Sequence, residues 1–125
     1  MNSTVANIKL ILQKNGILFR EQNDSIFLTL PNGFGELQIM DLEGGDDLIG
    51  LVGSDWHTHS DCLGSPDMEK SEKIMSFYSD IMSGKYLLIE EVEPEKEPKK
   101  TIEDDLKKYI KYLPKGTKYK IYNKT

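Results

Sequence analysis

The residues best suited to chemistry lie in one short stretch, from Asp55 to Asp61. It contains both histidines and the only tryptophan of the chain. If the stretch is extended, successive side chains point to opposite faces. The first face then holds Asp55, His57, His59 and Asp61, and the second holds Trp56, Thr58 and Ser60. Two imidazoles beside two carboxylates can bind a divalent metal ion or move a proton.

Two interpretations of this stretch stay open. In one, His57 and His59 are metal ligands, and Asp55 or Asp61 completes the three or four ligands that zinc takes in proteins. The cofactor would then be zinc and the chain a metal-dependent hydrolase. In the other, there is no cofactor. The histidines belong to a polar strand face and bond to nearby carboxylates or carbonyls, while Trp56 packs the strand end against a helix.

Length and composition indicate a single domain over residues 1–125. No apolar stretch approaches the roughly 20 residues of a membrane-spanning helix. Residues 1–5 lack the basic start and apolar stretch of a secretory signal. The only cysteine, Cys62, is compatible with a reducing compartment. We therefore expect a bacterial cytoplasmic protein that does not associate with membranes.

Charge is unevenly distributed along the chain. Residues 1–93 hold sixteen acidic and six basic side chains, whereas residues 94–125 hold five acidic and ten basic ones. An acidic body repels the phosphates of nucleic acids, which argues against a nucleic-acid partner. It favours a basic protein partner instead, because complementary charge raises association rates. Asp46 and Asp47, in an acidic glycine-rich turn over residues 41–47, are candidates for such a contact.

Apolar periodicity predicts an α+β domain. We expect about three helices and a mainly antiparallel sheet of five to six strands, in the order α-β-β-β-β-α-β-α-β. The sheet is predicted to be antiparallel because short turns join the first four strands. The predicted helices are Thr4–Lys14, a second from the Ser65-Pro66 cap to Met82, and a third from a Thr101 cap to Leu113.

The strand candidates come from alternating or short apolar runs between turn residues. They are Gly16–Gln22, Ile26–Leu30, Gly35–Leu42, a fourth from Leu48 through Val52 into the Trp-His stretch, Tyr86–Val92 and Thr117–Asn123. Between the fifth strand and the third helix, residues 93–100 form a charged, proline-containing loop that is too polar to bury.

The His57-Thr58-His59 sequence resembles part of the JAMM metalloprotease motif. That family combines His-x-His-Pro with a downstream Ser-x-x-Asp and an upstream glutamate, for which Glu36 would stand here. The resemblance implies a zinc-dependent hydrolase. Ser60 replaces the proline, and Ser65-Pro66-Asp67 follows too soon and with the wrong spacing, so the departures fall on the catalytic parts of the motif.

A second resemblance covers residues 47–92. Trp56-His57-Thr58-His59, then a helix, the Gly84-Lys85 turn and an apolar strand look like small bacterial immunity-type domains of polymorphic toxin systems. This implies a non-catalytic domain that binds a protein, such as a basic toxin domain, and we expect that function ahead of the hydrolase. The residues assigned to the binding face are Asp46, Asp47, Asp55, Trp56, His57, His59 and Asp61.

Overall fold

The computed structural model describes residues 3–123, with three helices and eight strands among them. The helices are α1 (Thr4–Lys14), α2 (Lys70–Met82) and α3 (Leu106–Lys111). The strands are β1 (Arg20–Gln22), β2 (Ser25–Thr29), β3 (Glu36–Asp41), β4 (Asp47–Leu51), β5 (His57–Thr58), β6 (Leu87–Val92), β7 (Lys99–Glu103) and β8 (Lys118–Ile121). The α+β class and the order of the predicted elements are confirmed, and β5 and β7 are additional strands.

The strands form two antiparallel sheets. Sheet A contains β1 to β5 in chain order, as expected for strands joined by short turns. Sheet B has the order β7-β6-β8, so β6 lies at its centre. No helix in the described part of the chain has both the length and the apolar composition needed to cross a bilayer.

Helix α1 begins where two side chains satisfy its first amides. Ser3 Oγ accepts from the Ala6 amide at 2.9 Å, and the Asp41 carboxylate accepts from the Thr4 amide at 3.1 Å. The negative charge of Asp41 also favours the positive end of the helix dipole. Gly16, at φ +67°, follows the helix in the left-handed conformation that ends many helices.

One face of sheet A is covered by α1 and α2. Both helices contribute fully buried residues to the same apolar cluster as the strands, with Ile8 and Leu12 from α1 and Ile74 and Ile81 from α2. The sheet residues of this cluster alternate along their strands, as the period of two requires. They are Ile26, Leu28, Leu37, Ile39, Ile49 and Leu51.

Sheet B also contributes residues to this apolar cluster. Leu88 of β6 and Ile102 of β7 are buried in it. Helix α3 packs on the other face of sheet B, where the Tyr109 hydroxyl donates to the Glu91 carboxylate at 2.7 Å. The Asn123 side chain donates to carbonyl oxygens of α2 and of the segment that follows it, which ties the end of the described chain to the core.

The second helix begins later than predicted. Its first residue is Lys70 rather than Pro66, because residues 65–68 form a separate turn in which the Met68 amide bonds to the Ser65 carbonyl. Gly64 precedes this turn at φ +60°. Glu69 is extended and serves as the N-cap residue, so Ser65 caps the turn instead of the helix.

The third helix was predicted to begin at Thr101, and this was wrong. Thr101 and Ile102 belong to β7, where Ile102 pairs with Leu88 and is 5% exposed. Helix α3 starts after Asp105, whose carboxylate accepts from the Lys108 amide. The charged loop predicted over residues 93–100 also ends earlier, because Lys99 and Lys100 already belong to β7 and pair with β6. The chain therefore completes sheet B before it becomes helical.

Two strand boundaries also differ from the prediction. The first strand is confined to Arg20–Gln22, while Ile17 and Phe19 before it pack against the core without pairing. The fourth strand does not continue into the Trp-His stretch. It ends at Leu51, and the chain reverses so that β5 pairs back on β4 in antiparallel fashion.

Candidate functional site

The Trp-His stretch is held by a tight reversal between β4 and β5. Gly53 adopts φ +79°, a conformation that disfavours residues with a Cβ atom. Ser54 Oγ donates to the Lys100 carbonyl of β7 at 2.6 Å and accepts from the Trp56 amide at 3.2 Å. Residues 53–56, the β4–β5 turn, are therefore anchored to sheet B as well as to sheet A.

The predicted alternation of side chains is confirmed for the residues around β5. Trp56 faces the core, where its ring stacks on Phe77 of α2 at 5.9 Å and 7°. Thr58 lies in register with Ile49 on the covered face of sheet A, and Ser60 is fully buried. His57 is exposed on the opposite face. Trp56 thus packs the strand end against the second helix, as one of the two interpretations held.

Asp47 is the internal anchor of this region. It is 0% exposed, and its carboxylate accepts from the Ser60 amide at 2.7 Å and from the Ser60 hydroxyl at 2.5 Å. A buried carboxylate is costly unless such donors compensate it. Asp47 was assigned to the binding face, but its burial means that it positions the segment after β5 rather than meeting a partner.

Both histidine rings are held by main-chain carbonyl groups. His57 Nδ1 lies 3.1 Å from the Asp55 carbonyl oxygen, and His59 Nδ1 lies 2.5 Å from that of Asp47. Because a carbonyl oxygen can only accept, each Nδ1 carries a proton and donates it. In the neutral form of such a ring, Nε2 keeps its lone pair. The ring centroids are 5.9 Å apart, and the ring planes are nearly perpendicular at 89°.

Asp46, Asp47 and His59 bring atoms of metal-ligand type within 4.8 Å of one another. The polar atoms of this cluster already form hydrogen bonds within the protein. The Asp47 oxygens bind Ser60, His59 Nδ1 donates to a carbonyl, and Asp46 Oδ1 accepts from the Asp47 amide at 2.8 Å. We therefore interpret the cluster as the hydrogen-bonded corner that orients His59.

The other predicted acidic residues are placed differently. Asp55 is exposed and approaches His57 through its main-chain carbonyl, not its carboxylate. Asp61 is exposed in the 3₁₀ turn Ser60–Cys62. Within the 41–47 turn, Asp41 caps α1 while Glu43 is exposed. These exposed carboxylates are thus not directed at the imidazole rings, whereas the half-exposed Asp46 carboxylate lies 3.6 Å from His59 Nδ1.

The face of sheet A opposite α1 and α2 forms a continuous surface that sequence reasoning did not identify. One row runs across all five strands in register, and Met40 pairs with Leu48 in the adjacent row. We call this the open face; its residues are Arg20, Phe27, Gln38, Met40, Leu48, Gly50 and His57. The alternation that buries Leu37 and Ile39 already placed Met40 on the opposite face, and this was the available signal.

The open face carries apolar side chains around a central glutamine, Gln38, and has polar residues at its two edges. Phe27, Met40 and Leu48 are half-buried but do not pack on the core cluster. At the β1 edge, Arg20 lies 4.0 Å above the Phe27 ring and forms a two-pronged ion pair with Glu36, at 2.9 and 3.3 Å. The opposite edge carries His57.

Two concavities flank the β4–β5 turn. One of about 410 Å³ lies on the open face where Gly50 has no side chain, between Leu48 and His57. The other, of about 640 Å³, lies between the turn and β7; Trp56 and Pro98 line it together with polar residues such as Lys99. The turn therefore projects as a ridge between two grooves.

Comparison of the chain with protein-family models, curated proteins and solved structures found no match. Functional interpretation therefore depends on the geometry of the residues described above.

Proposed function

We propose that this domain binds another protein without catalysis, through the open face of sheet A and the β4–β5 turn beside it. The observation that carries the proposal is the uncovered sheet face. α1 and α2 occupy the opposite face and α3 lies on sheet B, so none of the described helices covers Phe27, Met40 and Leu48, which remain partly exposed.

The chemistry of this surface suits a protein partner. Protein interfaces have an apolar centre surrounded by a polar rim. Here Phe27, Met40 and Leu48 lie around the central Gln38 and next to a groove at Gly50. The two edge strands contribute Arg20 and His57 to the rim. A contiguous apolar patch rimmed by polar residues is a typical interaction site in soluble domains.

Charge complementarity favours a basic partner. Exposed Asp55 and Asp61 flank the two histidines in the sequence, and neither forms an ion pair with another residue between Ser3 and Asn123. Their fields add to the acidic excess of residues 1–93. A basic partner would be attracted over a distance and would lose affinity as salt screens these charges.

The resemblance of residues 47–92 to immunity-type domains supports a more specific proposal for the partner. The partner is then a basic toxin domain, and binding blocks its active surface. A bacterial cytoplasmic location fits this role, since an immunity protein protects the cell that makes the toxin.

The alternative function, a zinc hydrolase, has less geometric support. Catalytic zinc sites use three protein ligands. Around β5 the described residues offer two uncommitted imidazole nitrogens, at His57 and His59, whereas the nearest buried carboxylate, Asp47, is engaged by Ser60. This arrangement does not complete a catalytic ligand set, so protein binding is the function proposed.

The direct test is binding to the C-terminal domain of a polymorphic toxin encoded beside this gene. We expect a one-to-one complex by calorimetry, with an affinity that falls as salt rises. Leu48→Ala should weaken binding at least tenfold by removing an apolar contact at the centre of the open face. Asp55→Lys should slow association by reversing a rim charge.

Matched substitutions elsewhere provide the controls. Leu10→Ala removes an apolar side chain that is 64% exposed on α1, and Glu72→Lys reverses an exposed charge on α2. Both should leave affinity within twofold of wild type. Equal effects at Leu48 and Leu10 would contradict the proposed face, and the absence of any complex with the neighbouring toxin would contradict the immunity role.

A further inference from the structure

We infer that His57 and His59 form a surface chelate for one late first-row transition-metal ion, with Cu²⁺ bound most strongly. Because His57 also lies on the open face, a bound partner would cover part of this site, so metal binding is tested on the free protein. The chelate uses the Nε2 atoms of the two rings, which the hydrogen bonds at Nδ1 leave free, and needs no carboxylate ligand.

The hydrogen bonds of the two rings match those of metal-binding histidines. A histidine that ligates a metal through one nitrogen usually donates its other N–H to a carbonyl or a carboxylate, which fixes the tautomer and the ring orientation. Here both Nδ1 atoms donate to carbonyl oxygens, of Asp55 and Asp47 respectively. Each ring is therefore held in the tautomer that leaves Nε2 free to bind a metal.

The separation of the rings permits a shared ion. Metal–nitrogen bonds to histidine are about 2.0–2.1 Å long, which places each ring centroid roughly 3.2 Å from the metal. Two rings on one ion are then separated by roughly 4.5 Å at a right-angled ligand geometry and roughly 6.4 Å at a linear one. The observed 5.9 Å lies within this range.

Access and ligand type define the class of metal. His57 is exposed and the His59 side chain is 32% exposed, so an ion and its remaining water ligands can reach both rings. Imidazole suits Cu²⁺, Ni²⁺ and Zn²⁺, and affinities in this series peak at Cu²⁺. Mg²⁺ prefers oxygen ligands and should not bind.

The chain is well suited to a direct test because it has no other histidines. Cu²⁺ is titrated into untagged protein and binding is followed by calorimetry and by quenching of Trp56 fluorescence. We expect one high-affinity Cu²⁺ per chain, at least tenfold weaker binding in His57→Ala and in His59→Ala, and no response to Mg²⁺.

Asp55→Asn provides the matched control. It removes the carboxylate but keeps the carbonyl that orients His57, so its Cu²⁺ affinity should stay within twofold of wild type. Wild-type affinity in His57→Ala would overturn the chelate, and so would an equal loss in Asp55→Asn, which would indicate a carboxylate site. His57 is exposed, so its variant remains decisive even if His59→Ala fails to fold.

Discussion

Removal of the Asp47 carboxylate should destabilise the protein more than any exposed acidic substitution. In Asp47→Ala the buried Ser60 amide and hydroxyl both lose their acceptor. A hydrogen bond to a charged group contributes about 1.5–3 kcal/mol. Losing two such bonds would cost more than losing one, but the variant also avoids the desolvation cost of burying a charge. We therefore expect a loss of about 3 kcal/mol in the free energy of unfolding.

Urea unfolding followed by tryptophan fluorescence measures this loss. Trp56 is the only tryptophan, and it packs on Phe77 close to the substituted region. With a urea dependence of about 2 kcal/mol per molar, the midpoint should fall by about 1.5 M. Asp47→Asn should lose less, because its amide can accept from the Ser60 N–H and donate to the Ser60 hydroxyl.

Asp46→Ala is the control for charge. It removes a neighbouring, half-exposed carboxylate. That carboxylate accepts a hydrogen bond from the Asp47 amide and has a longer contact with the His59 ring. Its effect should stay under about 1 kcal/mol, as is usual for exposed polar groups. The anchoring role of Asp47 would be refuted if Asp47→Ala unfolded at the wild-type midpoint, or if Asp46→Ala cost as much.

Two further predictions concern other parts of the fold. Burial raises the pKa of the Glu103 carboxyl above its ordinary value of 4.5. Protonation of Glu103 therefore stabilises the folded state. This stabilisation is fully present below pH 4.5 and is lost as pH rises through the folded-state pKa. Glu103→Gln should therefore match wild type at pH 4 and exceed its unfolding temperature at pH 7; an unchanged difference between these pH values would oppose this. Gly64→Ala should cost about 1–3 kcal/mol in urea unfolding, because φ is +60° and the new Cβ would lie 3.1 Å from Met68 Sδ and 3.2 Å from Lys73 Cγ. Gly16→Ala, at φ +67° with open space around it, should cost less, and an equal cost would argue against the steric contribution.

Local patterns were sufficient to predict much of the site. The period of two along an extended chain separated Trp56 and Ser60 from His57 and His59 without any tertiary information. The same periodicity predicted the buried residues of β2 and β3. These features depend on neighbours in the sequence, and the structure confirms them.

Features that depend on distant pairing were missed. Thr101 resembles a helix-capping residue, whereas pairing of Ile102 with Leu88 decides that the segment is a strand. Likewise, the bond between Asp47 and Ser60 joins residues thirteen positions apart, so the sequence did not reveal the donors that compensate the burial of Asp47 beside the half-exposed Asp46. The open face required the register of five strands, which the sequence does not specify.

The central claim is that the open face of sheet A binds a basic protein, and Gly50→Val tests it most directly. Gly50 lies in the groove of that face, and a Cβ atom there would come no closer than 4.0 Å to the Trp56 carbonyl oxygen. Valine is well tolerated in strands, so the free protein should fold with wild-type stability or better. We predict that its affinity for the neighbouring toxin domain falls at least a hundredfold. A folded Gly50→Val variant that binds the toxin domain with wild-type affinity would contradict the account.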